Sequence, residues 1–235
     1  MNKQSNIYTI IYIIVLVVVV GSALALTALS LKQQQQANED NDRRKQILAS
    51  VNITPAPDQI DTEFNKYITR QIVVNAQGDS IGDDAFSVSV DKQIKVADDQ
   101  RQLPIYICSI DGTTKYIIPL YGAGLWGPIW GYLALNSDGS TVYGAYFDHQ
   151  GETPGLGAEI TTDNFRGQFH GKELFKNDRF YPVTVVKSGQ KPQDESDYVY
   201  GVSGGTITSK GVAAMLDDCL KPYKAYLEKL SKNNG

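Results

Sequence analysis

Ile105-Tyr106-Ile107-Cys108-Ser109-Ile110, Asp111-Gly112 and then Thr114-Lys115-Tyr116-Ile117-Ile118-Pro119-Leu120 place two β-branched and aromatic runs on either side of a short turn signal. Asp-Gly tolerates the left-handed backbone that a tight hairpin turn demands, so this stretch reads as an antiparallel hairpin. A second hairpin follows from Leu133-Ala134-Leu135 and Thr141-Val142-Tyr143 to Phe147, with Asn136 to Ser140 between them. Upstream, Gln71-Ile72-Val73-Val74 and Phe86-Ser87-Val88-Ser89-Val90 read as strands, and Asp61 to Ile68 as a short helix. Downstream, Val212, Met215, Leu216, Cys219 and Leu220 recur at one apolar face of a helix, with Thr208 or Ser209 as its expected N-cap. Strands come first and the long helix last, which predicts an α+β domain with a mainly antiparallel sheet and packed helices. Helical patterns do not alternate with the strands, so a dinucleotide-binding parallel sheet is disfavoured.

The N-terminal part obeys different rules. Ile7 to Leu31 carries no charge and is dominated by Ile, Val, Leu and Ala, which is enough to span a bilayer. A cleaved signal peptide is the competing reading, since Ala23-Leu24-Ala25 has the form of a small-residue cleavage site. Lys3 and Lys32 flank the run, so the positive-inside count does not choose an orientation. Lys32 to Ser50 is polar and reads as a helical stalk, and Thr54-Pro55-Ala56-Pro57 interrupts any helix. The expected organisation is therefore an anchor over residues 1–32, a polar linker over 33–60 and a folded domain over 61–235. The 235 residues carry a formal net charge of −4, with no basic cluster beyond Arg43-Arg44-Lys45. Such a surface disfavours nucleic acid as a partner.

Three stretches outside the strands hold chemistry. Ser203-Gly204-Gly205-Thr206-Ile207-Thr208-Ser209 crowds hydroxyls and glycines at a helix start, where unpaired N–H groups and the helix dipole suit a phosphate. An ordinary N-cap explains the same residues. Gly122 to Tyr132 alternates glycines with Trp126, Trp130 and Tyr132, which suits either stacking on a flat ring or a Trp-filled core corner. Gln150-Gly151-Glu152-Thr153-Pro154-Gly155-Leu156-Gly157-Ala158-Glu159 holds two carboxylates in Gly-Pro-rich turns, and by itself reads as a solvated loop. Cys108 and Cys219 read as small buried hydrophobes, and His149 and His170 as structural or solvated. No metal-ligand spacing is present, so no protein-bound metal is expected.

Ser203-Gly204-Gly205-Thr206 resembles the Ser-Gly-Ala-Thr flavinylation motif of FMN-binding domains in respiratory membrane complexes. Gly205 stands where that pattern has Ala, and Tyr200 where it has an acidic residue. Gly124-Leu125-Trp126, the run from Gly151 to Gly157 and the run from Ser203 to Val212 also resemble the C subunit of Na+-translocating NADH:quinone oxidoreductases in order and approximate spacing. Phe165-Arg166-Gly167-Gln168-Phe169 and Gly171-Lys172 share in that likeness, and residues 33–100 add little to it.

The resemblance implies an electron-transfer subunit with FMN joined covalently through its phosphate to Thr206. Trp126 and Leu156 would then flank the isoalloxazine, Glu152 and Thr153 would approach its polar edge, and Lys187 would lie nearby. Ser203, Gly204, Gly205 and Thr208 would surround the ribityl phosphate. It also implies partner subunits of a membrane-bound respiratory complex that couples NADH oxidation by quinone to sodium export, and a flavin transferase that uses FAD and Mg2+. The expected location is a bacterial inner membrane, single-pass, with the domain on the periplasmic side. Two alternatives stand beside this. One is the related G subunit of an ion-translocating ferredoxin:NAD oxidoreductase complex, and the other a membrane-anchored binding or assembly protein without flavin.

Overall fold

The computed structural model describes residues 6–233 and divides the chain into two units, one up to Arg43 and one from Arg44 onward. Lys3, at the outer end of the expected anchor, lies outside the described residues. The helices are α1 (Asn6–Ser50), α2 (Ile60–Tyr67), α3 (Val90–Gln93), α4 (Asp163–Arg166), α5 (Thr206–Leu220) and α6 (Lys224–Asn233). The main sheet contains β1 (Ile68–Val74), β2 (Ser80–Gly82), β3 (Leu103–Ile110), β4 (Thr113–Ala123), β5 (Pro128–Leu135) and β6 (Val142–His149). Its six strands run in the order β2-β1-β3-β4-β5-β6, every neighbouring pair antiparallel. Two small additions follow: β7 (Phe175–Lys176) pairs antiparallel with β8 (Arg179–Phe180), and β9 (Thr184–Val186) pairs parallel with β10 (Tyr198–Tyr200).

The Asp111-Gly112 hairpin forms as expected. Ile110 pairs with Thr113, and the two residues between β3 and β4 have φ of 50° and 74°. Both lie in the left-handed region, which matches the twist of the flanking strands. Alternation along these strands then feeds two layers. Ile105, Ile118, Leu120, Ile129, Leu133 and Phe147 enter the larger core, which includes Val212, Met215, Leu216 and Leu220 of α5. Tyr106, Cys108, Ile117, Tyr132 and Ala134 point to the opposite face and meet Ile47, Leu48, Val51 and Phe64. The central strands are covered on both faces, which explains why they read as almost unbroken apolar runs.

Helix α5 lies along β4. Its closest approach is set at Gly211, where a Cβ would collide with the carbonyl oxygen of Ala123, and at Gly122, where one would come within 2.7 Å of Met215 Cβ. Any side chain at either position would lift the helix off the sheet. Cys219 is buried in this contact, its thiol donating to Tyr121 O at 3.3 Å and accepting from Tyr121 N–H at 3.4 Å. Burial pushes the thiols of Cys108 and Cys219 up to about 11, and both cysteines are free.

Three expectations change. Phe86–Val90 is not a strand: Ala85–Ser87 forms a short 3₁₀ turn and Val90–Gln93 is α3. Asp84 Oδ1 accepts from Ser87 N–H at 3.1 Å, while Gln71 Oε1 accepts from Phe86 N–H at 3.1 Å. These side-chain bonds take backbone donors that a strand would need for its ladder. Neither Thr208 nor Ser209 caps α5, because the helix opens earlier, at Thr206, with Gly205 in the cap position and no side-chain cap. The compact body begins at Arg44, ahead of the start near Asp61 read from the sequence. Ile47 and Leu48, two apolar residues in a polar stretch, are wholly buried, and burying each contributes roughly 1.5–3 kcal/mol.

Within α1, an 18-residue window reaches a mean hydropathy of 2.8 with none of it buried. The helix is long and apolar enough to cross a membrane.

Candidate functional site

Three segments distant in sequence meet at the start of α5. The first is the turn from β4 to β5, closed by Gly124 N–H donating to Gly127 O at 2.8 Å. The second is the loop after β6, where Leu156 and Ala158 both donate their N–H to Thr153 O. The third is the entry to α5 through Ser203-Gly204-Gly205. Between them lies a cavity of about 340 Å3.

Leu125 and Trp126 line it from the first segment, Glu152, Thr153, Leu156 and Gly157 from the second, and Gly204, Gly205, Thr206, Ile207 and Thr208 from the third. Of the residues expected at the site, all but Ser203 and Lys187 are thus together. Ser203 sits in the same turn, exposed, outside the lining. Lys187 is also exposed, just after β9, and its carbonyl accepts from Gln190 N–H at 2.9 Å; it does not line the cavity. Leu125, Gly157 and Ile207 complete the lining although no rule of pattern singles them out.

Trp126 is not part of a core corner. It is 68% exposed, and Leu125, Leu156 and Ile207 are 47%, 43% and 56% exposed. Outside α1, only Ile81 and Tyr200 join them as exposed large apolar side chains among the described residues. An apolar rim concentrated on one cavity is the surface pattern of a binding site.

Below the rim the site is polar and rigidly tied. Glu152 is 4% exposed. Its Oε1 accepts from Trp126 N–H at 2.8 Å, its Oε2 accepts from Thr208 Oγ1 at 2.5 Å, and its own N–H donates to His149 Nδ1 at 3.1 Å. The last bond fixes the imidazole with Nδ1 as acceptor, so His149 belongs to the site although its isolation in sequence gives no sign of it. Two glycines make room for the carboxyl group. A Cβ on Gly124 would stand 2.5 Å from Glu152 Oε1, and one on Gly157 would collide with both Glu152 Oε2 and Thr208 Oγ1.

Thr206 differs from Thr208. It is exposed at the first position of α5, whereas Thr208 is buried with its hydroxyl already committed. Ser209 N–H is the first to close an intrahelical bond, onto Gly205 O at 2.8 Å. The N–H groups of Thr206, Ile207 and Thr208 therefore open the helix without intrahelical acceptors, at the positive end of its dipole. The entry is held from behind. Ser209 Oγ accepts from Val202 N–H at 2.9 Å, and Gln168 clamps Tyr200 on both sides, its Oε1 accepting from Tyr200 N–H and its Nε2 donating to Tyr200 O. Gln168 is how the Phe165–Phe169 motif bears on the site.

The fold and the placement of this cavity define a class. Residues 124–221, which contain all three segments, match the family of FMN-binding domains. Among curated proteins, the chain is 33% identical over 188 residues to the C subunit of the Na(+)-translocating NADH-quinone reductase of Haemophilus ducreyi, spanning 73% of this chain and 72% of that protein. The same subunit of Vibrio alginolyticus is 33% identical over 180 residues, covering 74% of this chain and 70% of the other. The chain therefore belongs to the family of C subunits of Na(+)-translocating NADH-quinone reductases. A crystal structure of that subunit from Parabacteroides distasonis superposes with a TM-score of 0.79 at 46% identity, over 84% of this chain and 96% of that one. Shewanella oneidensis NqrC superposes at a TM-score of 0.69 and 22% identity, over 83% of this chain and 99% of its own, a likeness of fold.

Proposed function

We propose that this chain is an electron-transfer subunit that carries FMN covalently through a phosphoester to Thr206. The observation that carries the reading is the pairing of an exposed threonine hydroxyl, at an uncapped helix start, with an exposed apolar rim across one cavity. A phosphate suits the first and a flat heteroaromatic ring the second. Membership of the FMN-binding domain family supports the choice of group.

The residues present fit that group. Thr206 would hold the phosphate, with the free N–H groups of the first turn of α5 as donors. Trp126 and Leu156 would border the ring system and shield part of it from water. Glu152, bonded to Trp126 N–H and to Thr208 Oγ1, ties the Trp126 wall to the start of α5. When bound, FMN supplies the one- and two-electron chemistry, and the protein supplies position and environment.

Attachment requires an enzyme, because a threonine hydroxyl is a weak nucleophile near neutral pH. In a transfer from FAD, Thr206 Oγ would replace the AMP oxygen at the FMN phosphorus, AMP would leave as the pyrophosphate P–O bond broke, and the hydroxyl proton would pass to a base. That base and Mg2+ belong to the flavin transferase. We further propose that α1 anchors the chain in a bacterial inner membrane with the domain on its periplasmic side. Partner subunits there would couple electron flow from NADH towards quinone to sodium export. The names of the relatives favour this complex over a ferredoxin:NAD oxidoreductase.

The test is flavin fluorescence on a denaturing gel for wild type and Thr206→Ala, each co-expressed with an active flavin transferase, followed by peptide mass analysis. A band lost in Thr206→Ala, with FMN mapped to that residue, is the expected result. A dark wild type would sink the reading and favour a flavin-free binding module.

A further inference from the structure

Glu152 is the least explained residue of the site. A carboxyl group taken out of water is costly unless its oxygens are bonded. Here both oxygens are bonded, and neither bond is to a group that a ligand would offer. Oε1 receives Trp126 N–H and Oε2 receives Thr208 Oγ1, so the side chain spans from the turn between β4 and β5 to the first turn of α5. The carboxyl group is packed against Gly124 and Gly157, where any side chain would displace it from these two bonds. Its backbone is held in turn by His149, at the end of β6.

We propose that Glu152, although it lines the cavity, acts as a positioning residue: its carboxyl group sets the separation between the Trp126 wall and the Thr206 end of the cavity before any ligand arrives. This rests on the flavin reading for its consequence, but the brace itself exists in the protein alone. Thr206 and Trp126 sit on different elements, and among the described residues the Glu152 carboxyl is what joins the Trp126 turn to the start of α5 by side-chain hydrogen bonds. A shift of that wall by about 1 Å would misalign a group tethered at Thr206, an effect on the order of 100-fold in the rates of comparable positioning. The same brace explains selection among hydroxyls. Thr208 is buried and bonded to Glu152, which leaves Thr206 as the exposed threonine of the motif.

Two measurements on the full-length chain in detergent separate this proposal from the flavin reading. In a flavin-free Thr206→Ala background, hydrogen exchange of the peptide containing Trp126 is compared between the Glu152 parent, Glu152→Ala and Glu152→Gln. Exchange is expected to rise by about tenfold or more with Ala and to return near the parent with Gln, whose amide oxygen can still accept from Trp126 N–H. Unchanged exchange in Glu152→Ala overturns the brace. In the Thr206 parent with active transferase, initial flavinylation is expected to slow by about tenfold or more for Glu152→Ala, less for Thr208→Val, and little for Glu152→Gln. The visible circular dichroism of the loaded flavin should follow the same order. Glu152→Gln failing as badly as Ala in rate and spectrum would mean the carboxylate itself faces the flavin, and overturns positioning. If Glu152→Ala does not fold, Thr208→Val carries the test, since it removes one bond and keeps the side-chain shape. A dark parent together with a positive exchange result would remove the flavin reading and leave the brace.

Discussion

The sheet interior and the cavity rim use similar residues to opposite ends. Leu133, Leu135 and Phe147 are wholly buried, whereas Leu125, Trp126, Leu156 and Ile207 remain 43–68% exposed on one edge of the same domain. Interior side chains are held by alternation along neighbouring strands, so their positions follow from short-range pattern. Rim side chains are held by bonds between segments far apart, such as Thr208 to Glu152 across 56 positions. Apolar area inside the sheet stabilises the fold, and apolar area on the rim is kept available for something else.

Substitutions should separate the two regions sharply. Phe147 packs against Phe165 and Phe169 with ring centroids 5.8 and 5.0 Å away. Phe147→Ala is expected to lower unfolding free energy by about 3–5 kcal/mol, measured by urea titration of the domain. Gly211→Ala comes next, at about 1–3 kcal/mol, because the new methyl group meets Ala123 O and α5 must shift. That shift would also displace Thr206, so on the proposed attachment flavinylation should fall with stability, which distinguishes it from Phe147→Ala variants rescued by lower temperature. Trp126→Ala should alter stability by less than about 0.5 kcal/mol while changing the spectrum of bound flavin. A large stability loss there would erase the distinction between rim and core.

Alkaline titration reaches the interior through its two buried thiols. The thiols of Cys108 and Cys219 ionise at about 11 in the folded chain against an ordinary 9.0, with burial as the leading cause. The unfolded chain releases these protons first, so their contribution is complete below pH 9 and is lost as pH rises toward about 11. Stability should decline across that interval, and Cys219→Ala should flatten part of the slope. At about pH 8 neither thiol of the native protein should react appreciably with iodoacetamide, and both should after denaturation.

The same division explains what the sequence reveals. Asp111-Gly112 between two apolar runs, and the 3.6-residue spacing from Val212 to Leu220, each encode an element through neighbours, and the structure contains both elements. Phe86–Val90 fails as a strand because Asp84 and Gln71 capture its backbone donors, and a contact from Gln71 is invisible to local pattern. The helix cap moves to Gly205 because Thr208 and Ser209 are engaged in tertiary bonds with Glu152 and Val202. The motifs that resemble a flavin site converge, yet their sequence carries no hint that His149 holds the loop or that Lys187 stands apart.

Ile47 and Leu48 carry a consequence for how the body can be cut. They fill the face of the sheet formed by Tyr106, Cys108, Ile117, Tyr132 and Ala134. Trp130 Nε1 also donates to Gln46 Oε1 at 3.0 Å, and Arg44 pairs with Asp61 at 3.1 Å. A soluble fragment begun at the prolines, where the helical pattern breaks in sequence, would lack its own lid and expose an apolar trough prone to self-association. The natural place to separate this compact body from the apolar stretch of α1 lies upstream of Arg44, within the helix itself.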